Sequence, residues 1–239
     1  MRLAKYLARA GVASRRRAEK LITAGRVCVN GTVTDRPQYR VQDSDTVTVD
    51  DRPVKGFEEK AHFLLHKPPG YISTVDDTHH RPTVMDLVKE TGKRLYPVGR
   101  LDADTSGVLL MTNDGELANL LTHPRYGVRK VYLARVAGIP DKKALEQLRA
   151  GVDIEGKKTA PAGVKIARVF AGDNEALLEL TLIEGRKRQV KKMCGAVNHP
   201  VIRLHRQEFA GLRAGRLPEG SYRRLTEEEV RELYRRVES

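Results

Sequence analysis

The pattern of apolar and polar positions divides the chain into two parts. Residues 3–8 repeat leucine and alanine at helical spacing, and Ser14 precedes a second helical pattern that ends at Gly25. Valines then alternate with polar residues on the two sides of Asn30-Gly31, which is the strongest short-range signal for a β-hairpin. The first part is therefore predicted as two helices followed by a hairpin.

The pattern changes between residues 51 and 60, where charged residues dominate and no periodicity persists. A strand-like apolar run begins at Phe63. Residues 1–50 are therefore predicted as one domain, residues 51–60 as a linker, and residues 61–239 as a second, larger domain. A chain of 239 residues is long enough to form two such cores.

The larger part mixes strands and helices without a regular alternation of the two. The predicted strands are Val108–Met111, Val131–Val136, Ala176–Ile183 and Val201–Leu204. The predicted helices are Pro82–Glu90, Glu116–Leu121, Lys142–Ala150, Arg186–Cys194 and Thr226–Arg236. This mixture predicts an α+β fold.

Charge indicates an anionic partner. Lysine and arginine number 44 against 31 aspartates and glutamates, a formal net charge of +13 that is typical of proteins that meet a polyanion. The stretch from Arg2 to Arg26 holds eight basic residues and one acid, and the free amides at a helix start can also meet phosphate oxygens. A merely solvated basic face is the alternative. The residues predicted to contact phosphates are Arg2, Lys5, Arg15, Arg16, Arg17, Lys20, Arg26, Arg186, Lys187, Arg188 and Lys192.

Several classes of protein do not fit the composition. No apolar run approaches the roughly 18 residues of a membrane span, and no secretory leader pattern is present, so we expect a cytoplasmic protein without a membrane partner. Cys28 and Cys194 lie far apart and predict neither a disulfide framework nor a metal site. His79-His80 has no partner at a metal-ligand spacing and is predicted as an exposed loop, so no metal is expected.

One stretch carries candidate chemistry. Residues 99–107 place Arg100 and Asp102 two residues apart, just before the apolar run that starts at Val108. Asp102 therefore lies in a loop at the entry of a predicted core strand, where its carboxylate can face a substrate. Spacing alone explains the pair equally well as a surface ion pair.

This stretch belongs to a longer set of motifs. They are Arg100-Leu101-Asp102-x-x-Thr105-Ser106-Gly107, Leu109-Leu110-x-Thr112-Asn113-Asp114-Gly115, Lys67-Pro68-Pro69-Gly70, Lys130-Val131-Tyr132 and Glu184 to Met193. Together they resemble the RsuA-type family of ribosomal RNA pseudouridine synthases. Residues 13–31 likewise resemble the S4-like RNA-binding domain, so nearly the whole chain is covered. The resemblance implies a small S4-like domain before a catalytic domain with a mostly antiparallel central sheet.

The resemblance implies the isomerisation of uridine to pseudouridine. The N1–C1′ bond of uridine is broken and a C5–C1′ bond is formed, so no atom is gained or lost and no cofactor or metal is required. The family's catalytic aspartate matches Asp102, which either attacks C1′ or removes the 2′ hydrogen to give a glycal. The sequence does not choose between these two roles.

Further roles follow from the same resemblance. Tyr132 matches the tyrosine that stacks on the uracil, and Arg100 is suited to fill the space that a flipped base leaves. Lys191 occupies the basic position that faces the aspartate, with Arg188 as a competing candidate. A supporting role in the loop is predicted for Asp104. The Lys67 motif is predicted either to line the cleft or to form a rigid turn.

The implied partner is ribosomal RNA or an assembly intermediate of a ribosomal subunit, and a monomer is the simplest state. Overall resemblance to the 23S-directed, RluB-like members, including Leu120-x-x-His123-Pro124, favours large-subunit RNA. A 16S ribosomal RNA synthase and a non-catalytic, ribosome-associated RNA-binding protein are the alternatives. A transfer RNA synthase is disfavoured by the leading S4-like domain.

Overall fold

The first of two compact units ends at Lys60, and the second begins at Ala61. Our computed structural model describes residues 1–238. The strands of the first unit form one antiparallel sheet in the order β2-β1-β3-β4. Its elements are α1 (Leu3–Arg9), α2 (Arg15–Thr23), β1 (Val27–Val29), β2 (Thr32–Val33), β3 (Val47–Val49) and β4 (Arg52–Pro53).

Local sequence signals account for this first unit. The hydroxyl of Ser14 accepts a hydrogen bond from the backbone N–H of Arg17 at 3.3 Å and caps α2. Asn30 and Gly31 have φ of 53° and 77°, as a two-residue hairpin turn requires. The apolar faces of both helices pack on the sheet, with Leu7 and Ile22 fully buried. The predicted helices and hairpin are confirmed.

The predicted linker begins inside this unit, and this is a correction. Arg52 and Pro53 pair with Val49 and Thr48, so β4 belongs to the sheet. Asp50 and Asp51 both have positive φ and form the turn between β3 and β4. The charged, aperiodic residues that predicted a linker thus include a tight turn and a short, exposed edge strand.

The second unit is built on a sheet of nine strands. The main order is β11-β12-β8-β13-β7-β5-β15, with β14 paired to β13 and β6 paired to β7. Its strands, with the separate β9–β10 hairpin, are β5 (His62–Lys67), β6 (Tyr96–Pro97), β7 (Ser106–Thr112), β8 (Lys130–Ala137), β9 (Asp153–Ile154), β10 (Lys157–Lys158), β11 (Gly163–Phe170), β12 (Glu175–Leu182), β13 (Val201–Phe209), β14 (Leu212–Arg213) and β15 (Tyr222–Arg224).

Helices pack around this sheet. All the strand pairings in the described sheet are antiparallel except that between β7 and β13, so the predicted α+β fold with a mostly antiparallel sheet is confirmed. Within residues 1–238, no helix is both long and apolar enough to cross a membrane. The helices are α3 (Val84–Val88), α4 (Gly115–Thr122), α5 (Lys142–Ala150), α6 (Gln189–Ala196) and α7 (Glu227–Glu238), with 3₁₀ turns at Lys89–Thr91, Pro124–Tyr126 and Ala171–Asp173.

Two predicted helices are shorter in the structure. The prediction of a helix over 186–194 is corrected at its start, since Arg188 has φ 56° and ψ 32° and α6 begins at Gln189. The prediction over 82–90 is corrected to α3, because Thr83 and Asp86 form a capping box at its start and the chain tightens into a 3₁₀ turn after Val88. Residues 186–188 are therefore a loop.

The burial of strand β7 on both faces explains why its apolar residues follow one another without polar residues between them. All seven of its residues are buried, since neighbouring strands flank it and side chains pack on both of its faces. The loop before β7 holds Asp102, so the rigid strand fixes where this carboxylate emerges.

Candidate active site

A cleft of about 280 Å³ in the second unit is lined by several of the residues singled out from the sequence. The loop before β7 supplies Arg100 and Asp102, strand β8 supplies Tyr132, and the loop before α6 supplies Arg188. Arg100 is exposed, whereas Asp102 and Tyr132 are half-buried. Residues far apart in the chain therefore meet in one polar cleft.

The loop that carries Asp102 is held from inside the domain by Lys67, which is fully buried. Its ammonium donates hydrogen bonds to the carbonyl oxygens of Thr105 at 2.8 Å, Asp102 at 3.2 Å and Ala103 at 3.3 Å. Burial lowers the pKa of Lys67 to about 8, against the attraction of the nearby Asp104 and Asp102 carboxylates. Lys67 is therefore a buried support of the loop, rather than part of the cleft wall.

A second contact fixes the same loop. The Ser73 hydroxyl donates to the carbonyl oxygen of Leu101 at 2.9 Å and accepts from the Leu101 N–H at 3.1 Å. Gly70 donates its N–H to the carbonyl oxygen of Ala103 at 2.7 Å. The backbone around Asp102 is thus ordered before any substrate arrives, which lowers the cost of positioning a reactive group.

The side chain of Asp102 has no partner of its own within residues 1–238. Its carboxylate accepts no hydrogen bond there, and no cationic nitrogen lies within 4.0 Å of it. The hydrogen bonds at this residue go to its backbone oxygen, from Lys67 and from the Thr105 N–H. A half-buried carboxylate that faces a cleft without an internal partner is available to a substrate.

The two basic residues proposed to face Asp102 take different positions. The Lys191 ammonium lies 2.5 Å from both carboxylate oxygens of Asp104, two residues beyond Asp102. This hydrogen bond, assisted by the charges of Lys191 and Arg188, lowers the pKa of Asp104. Arg188 lines the cleft with Asp102. The direct pairing of Lys191 with Asp102 stays a prediction.

Arg206 lines the cleft and was missed from the sequence. It is 2% exposed, its Nε donates to the carbonyl oxygen of Val108 at 2.8 Å, and its guanidinium lies 4.8 Å from the centre of the Phe209 ring. Its Nη2 is buried and has no hydrogen-bond partner in the described part of the chain. Side chains two positions apart on a strand lie on the same face of the sheet. Because Leu204 of β13 faces inward, the sequence could have predicted that Arg206 does so too.

Gly107 makes room for Arg206. In the register of the sheet, Gly107 lies between Lys67 of β5 and Arg206 of β13, and Arg206 in turn pairs with Tyr132 of β8. Gly107 has φ 122°, and a Cβ there would collide with the backbone N and O of Arg206. The close approach of β13 to β7 therefore requires glycine.

Lys130 adds a positive charge to the same cleft. Its ammonium donates to the carbonyl oxygen of Val128 at 2.8 Å. Burial, together with the nearby Arg206 charge, lowers the pKa of Lys130 to about 8, against the attraction of Glu184. The cleft thus offers several positive charges to an anionic ligand.

The residues predicted to contact phosphates differ in their exposure and in the partners that their side chains already have. The side chains predicted in the first unit are all exposed, although Arg26 pairs with Asp50 and Arg15 lies 3.8 Å from Glu19. In the second unit, Arg186 donates to the carbonyl oxygens of Lys157 and Lys158, and Lys192 pairs with Glu155 at 2.6 Å. Lys187 and Arg188 are exposed.

Comparison with known proteins places this geometry in a family. The family described as RNA pseudouridylate synthase matches residues 61–196, and the S4 domain matches residues 1–55. The chain is 47% identical over 232 residues to ribosomal large subunit pseudouridine synthase B of Bacillus subtilis, covering 97% of this chain and 95% of that protein.

More distant relatives agree. The chain is 35% identical over 234 residues to ribosomal small subunit pseudouridine synthase A of Escherichia coli, covering 96% of this chain and 98% of that one. A crystal structure of a pseudouridylate synthase matches with a TM-score of 0.69 and 31% identity, covering 98% of this chain and 99% of that one. The chain, with its S4 domain and its cleft around Asp102, belongs to the RNA pseudouridylate synthase family.

Proposed function

We propose that this enzyme converts a uridine of large-subunit ribosomal RNA to pseudouridine. The observation that carries the proposal is the unpartnered Asp102 carboxylate on a rigid loop inside a basic cleft. The choice of the large subunit rests on the higher identity to the large-subunit relative than to the small-subunit one, 47% against 35%. We also propose that the enzyme works in the cytoplasm. We propose a monomer because one chain supplies every residue of the proposed site.

Asp102 is the proposed catalytic group. As a carboxylate, it either attacks C1′ or takes the 2′ proton, and in both cases the N1–C1′ bond breaks and its electron pair leaves on N1. C5 of the turned uracil then bonds to C1′, where it either displaces the Asp102 carboxylate or adds to the glycal as Asp102 returns the proton to C2′. The C5 proton is then lost, and N1 gains a proton. Atoms and charge balance over the cycle, so the substrate and product are isomers.

Three further side chains are proposed to contact the RNA, two at the flipped base and one at the place the base leaves. Tyr132 would stack on the uracil, since its ring lines the cleft. The free Nη2 of Arg206 would donate to a uracil oxygen, which satisfies a buried group that otherwise has no partner. Arg100, exposed at the same cleft, would fill the space left in the RNA and offset the few kcal/mol that unstacking costs.

Chemical mapping of pseudouridine tests this proposal. Unmodified 23S and 16S transcripts are incubated with the wild-type enzyme and with Asp102→Asn, and each position is read for pseudouridine. We expect one new site on the 23S transcript, formed by the wild type alone. A site on the 16S transcript instead would make this a small-subunit enzyme. No site on either transcript or on immature ribosomal particles would favour a non-catalytic RNA-binding protein.

The first unit is proposed to dock on the RNA through Arg15, Arg16 and Arg17. Replacing all three with glutamine is expected to weaken RNA binding and to lower the slope of log affinity against log salt by roughly 2 to 3, since each lost phosphate contact removes about 0.7–0.9. Filter binding across a salt series measures both changes.

A matched control lies on α7. Arg231, Arg235 and Arg236 also carry three charges, but each pairs with a glutamate of its own helix, whereas among residues 15–17 of the described chain only Arg15 does so. Replacing these three with glutamine should leave the salt slope unchanged. Equal slopes for the two triple variants would show that residues 15–17 contribute only to the overall positive charge of the protein and make no specific phosphate contacts.

Lys130 makes RNA binding depend on pH. With a pKa of about 8, its ammonium is charged at pH 7 and loses its proton as the pH rises further, so affinity for the anionic RNA should fall above pH 8. One linked proton allows a loss of about tenfold at most per pH unit. Lys130→Arg keeps the charge at every pH tested and should flatten the profile between pH 7 and 9. An unchanged profile in this variant would assign the titration to another group.

A further inference from the structure

Two histidines and a glutamate form a cluster outside the cleft. His66 lies on β5, His205 on β13, and Glu219 in the segment before β15. One ligand atom from each residue lies within 4.8 Å of those of the other two. None of the three lines the active-site cleft, and the proposed isomerisation uses none of them.

The imidazole of His66 is oriented as a metal ligand would be. Its Nδ1 lies 2.7 Å from the carbonyl oxygen of Leu217 and donates to it, which leaves the lone pair on Nε2. That Nε2 is buried and accepts no hydrogen bond in the described part of the chain, while Glu219 Oε1 lies 3.8 Å away. A ring fixed through one nitrogen by a backbone carbonyl is the usual outer contact of a metal-binding histidine.

His205 repeats this arrangement from the neighbouring part of the sheet. Its Nδ1 lies 2.9 Å from the hydroxyl oxygen of Ser106, and its ring centre lies 5.5 Å from that of His66. When Ser106 accepts the Nδ1 proton, the Nε2 lone pair is free for an ion.

Glu219 is tethered to the same place. The N–H of Gly220 donates to the backbone oxygen of His66 at 2.8 Å, and the N–H of His66 donates to the backbone oxygen of Ser221 at 2.9 Å. These two hydrogen bonds hold the segment beside β5, while the Glu219 side chain is half exposed and leaves a path to solvent. A carboxylate therefore completes a set of three ligands.

We propose that His66, His205 and Glu219 bind Zn²⁺, with water in the fourth position. Two imidazoles and one carboxylate suit a borderline ion such as Zn²⁺, whereas Mg²⁺ prefers oxygen ligands alone. The ion would join β5, β13 and the segment before β15. It would lie next to Lys67 of β5 and Ser106 of β7. Lys67 pairs with Gly107 and Ser106 pairs with His205 in the sheet, just after the loop of Asp102. No reaction step is assigned to the ion, whose role would be to link these three elements.

Calorimetric titration of the full-length, tag-free protein tests this site. After treatment with a chelator, the wild type should bind one Zn²⁺ per chain and should bind no Mg²⁺. Glu219→Gln changes an exposed side chain and keeps the fold, and His205→Gln removes a second ligand. Each is expected to weaken Zn²⁺ binding by about tenfold or more, since even the loss of an outer contact costs 10–100-fold.

Control variants and a second readout complete the test. His79→Gln and Glu146→Gln alter an exposed histidine and an exposed glutamate elsewhere in the second unit and should bind Zn²⁺ as the wild type does. Zn²⁺ should also raise the Tm of the wild type and of both controls, and raise that of Glu219→Gln far less, because an ion that binds the folded state stabilises it. A wild type that binds no ion, or ligand variants that bind as tightly as the wild type, would overturn the proposal. No RNA is used, so the result is independent of the proposed substrate.

Discussion

Asp102→Asn is expected to bind ribosomal RNA within about twofold of the wild-type affinity and to lose at least about a thousandfold in turnover, which corresponds to roughly 4 kcal/mol of transition-state stabilisation. Asparagine has the size of aspartate, but it can neither attack C1′ nor accept a proton at neutral pH. The carboxylate has no partner among the described side chains, so its loss leaves no buried group unpaired. Single-turnover kinetics and an equilibrium binding assay measure the two quantities separately.

Asp104→Asn is the matched control, because it makes the same chemical change two residues further along the same loop. Asp104 pairs with Lys191 through both carboxylate oxygens and does not line the cleft. Its loss should disturb the position of Lys191 and lower turnover modestly, by about tenfold. Comparable losses in the two variants would show that the loop as a whole, rather than the Asp102 carboxylate, limits the reaction. Full turnover by Asp102→Asn would reject the proposed mechanism.

Lys67→Met should have the largest effect on stability. The variant removes the donor shared by the carbonyl oxygens of residues 68, 102, 103 and 105. The oxygens of Asp102 and Ala103 keep a second backbone donor, whereas the buried hydrogen bond to the Thr105 oxygen is lost. An unsatisfied buried polar group costs about 1–3 kcal/mol, so we expect a loss of about 3 kcal/mol in the free energy of unfolding. Turnover should fall as well, since the backbone around Asp102 loses one of the contacts that fix it. Urea denaturation and single-turnover rates measure both effects.

Lys165→Met provides the control for Lys67. Lys165 lies on β11 with 66% of its side chain exposed and forms an ion pair with Glu179 at 3.0 Å. An exposed pair of this kind contributes at most about 1 kcal/mol, so the same substitution there should change stability little. If the two variants were equally stable, the hydrogen bonds of Lys67 would not determine the geometry of the loop.

Local patterns were sufficient for much of the fold. The apolar run of β7, the hairpin at Asn30-Gly31 and the cap at Ser14 each depend on residues close in sequence, and each formed as predicted. Strand β11 was missed because it is an edge strand with mostly exposed residues, and because its apolar alternation breaks at the register shift after Ile166. The start of α6 was misplaced because one residue, Arg188, adopts a left-handed conformation that composition does not reveal.

The site could be located from the sequence but not assembled from it. The motif around Asp102 pointed to a loop that lines the cleft, yet the partners of this loop come from distant parts of the chain. The bond from Lys191 to Asp104 joins residues 87 positions apart, and Lys67 reaches the loop across 35 or more. Such contacts depend on the order of strands in the sheet. The inward position of Arg206 likewise follows from strand register, which the sequence pattern did not define.

The single parallel pairing in the described sheet divides it into two halves with different contributions to the cleft. Strands β5 and β7 support the loop of Asp102, while β8 and β13 carry Tyr132 and Arg206. The register that joins the halves consists of His205 beside Ser106 and Arg206 beside Gly107. The proposed active site therefore straddles a narrow seam, and the distance between the loop of Asp102 and the wall formed by Tyr132 and Arg206 is set there. A substitution or a bound ion that shifts this seam would tune catalysis without touching the substrate.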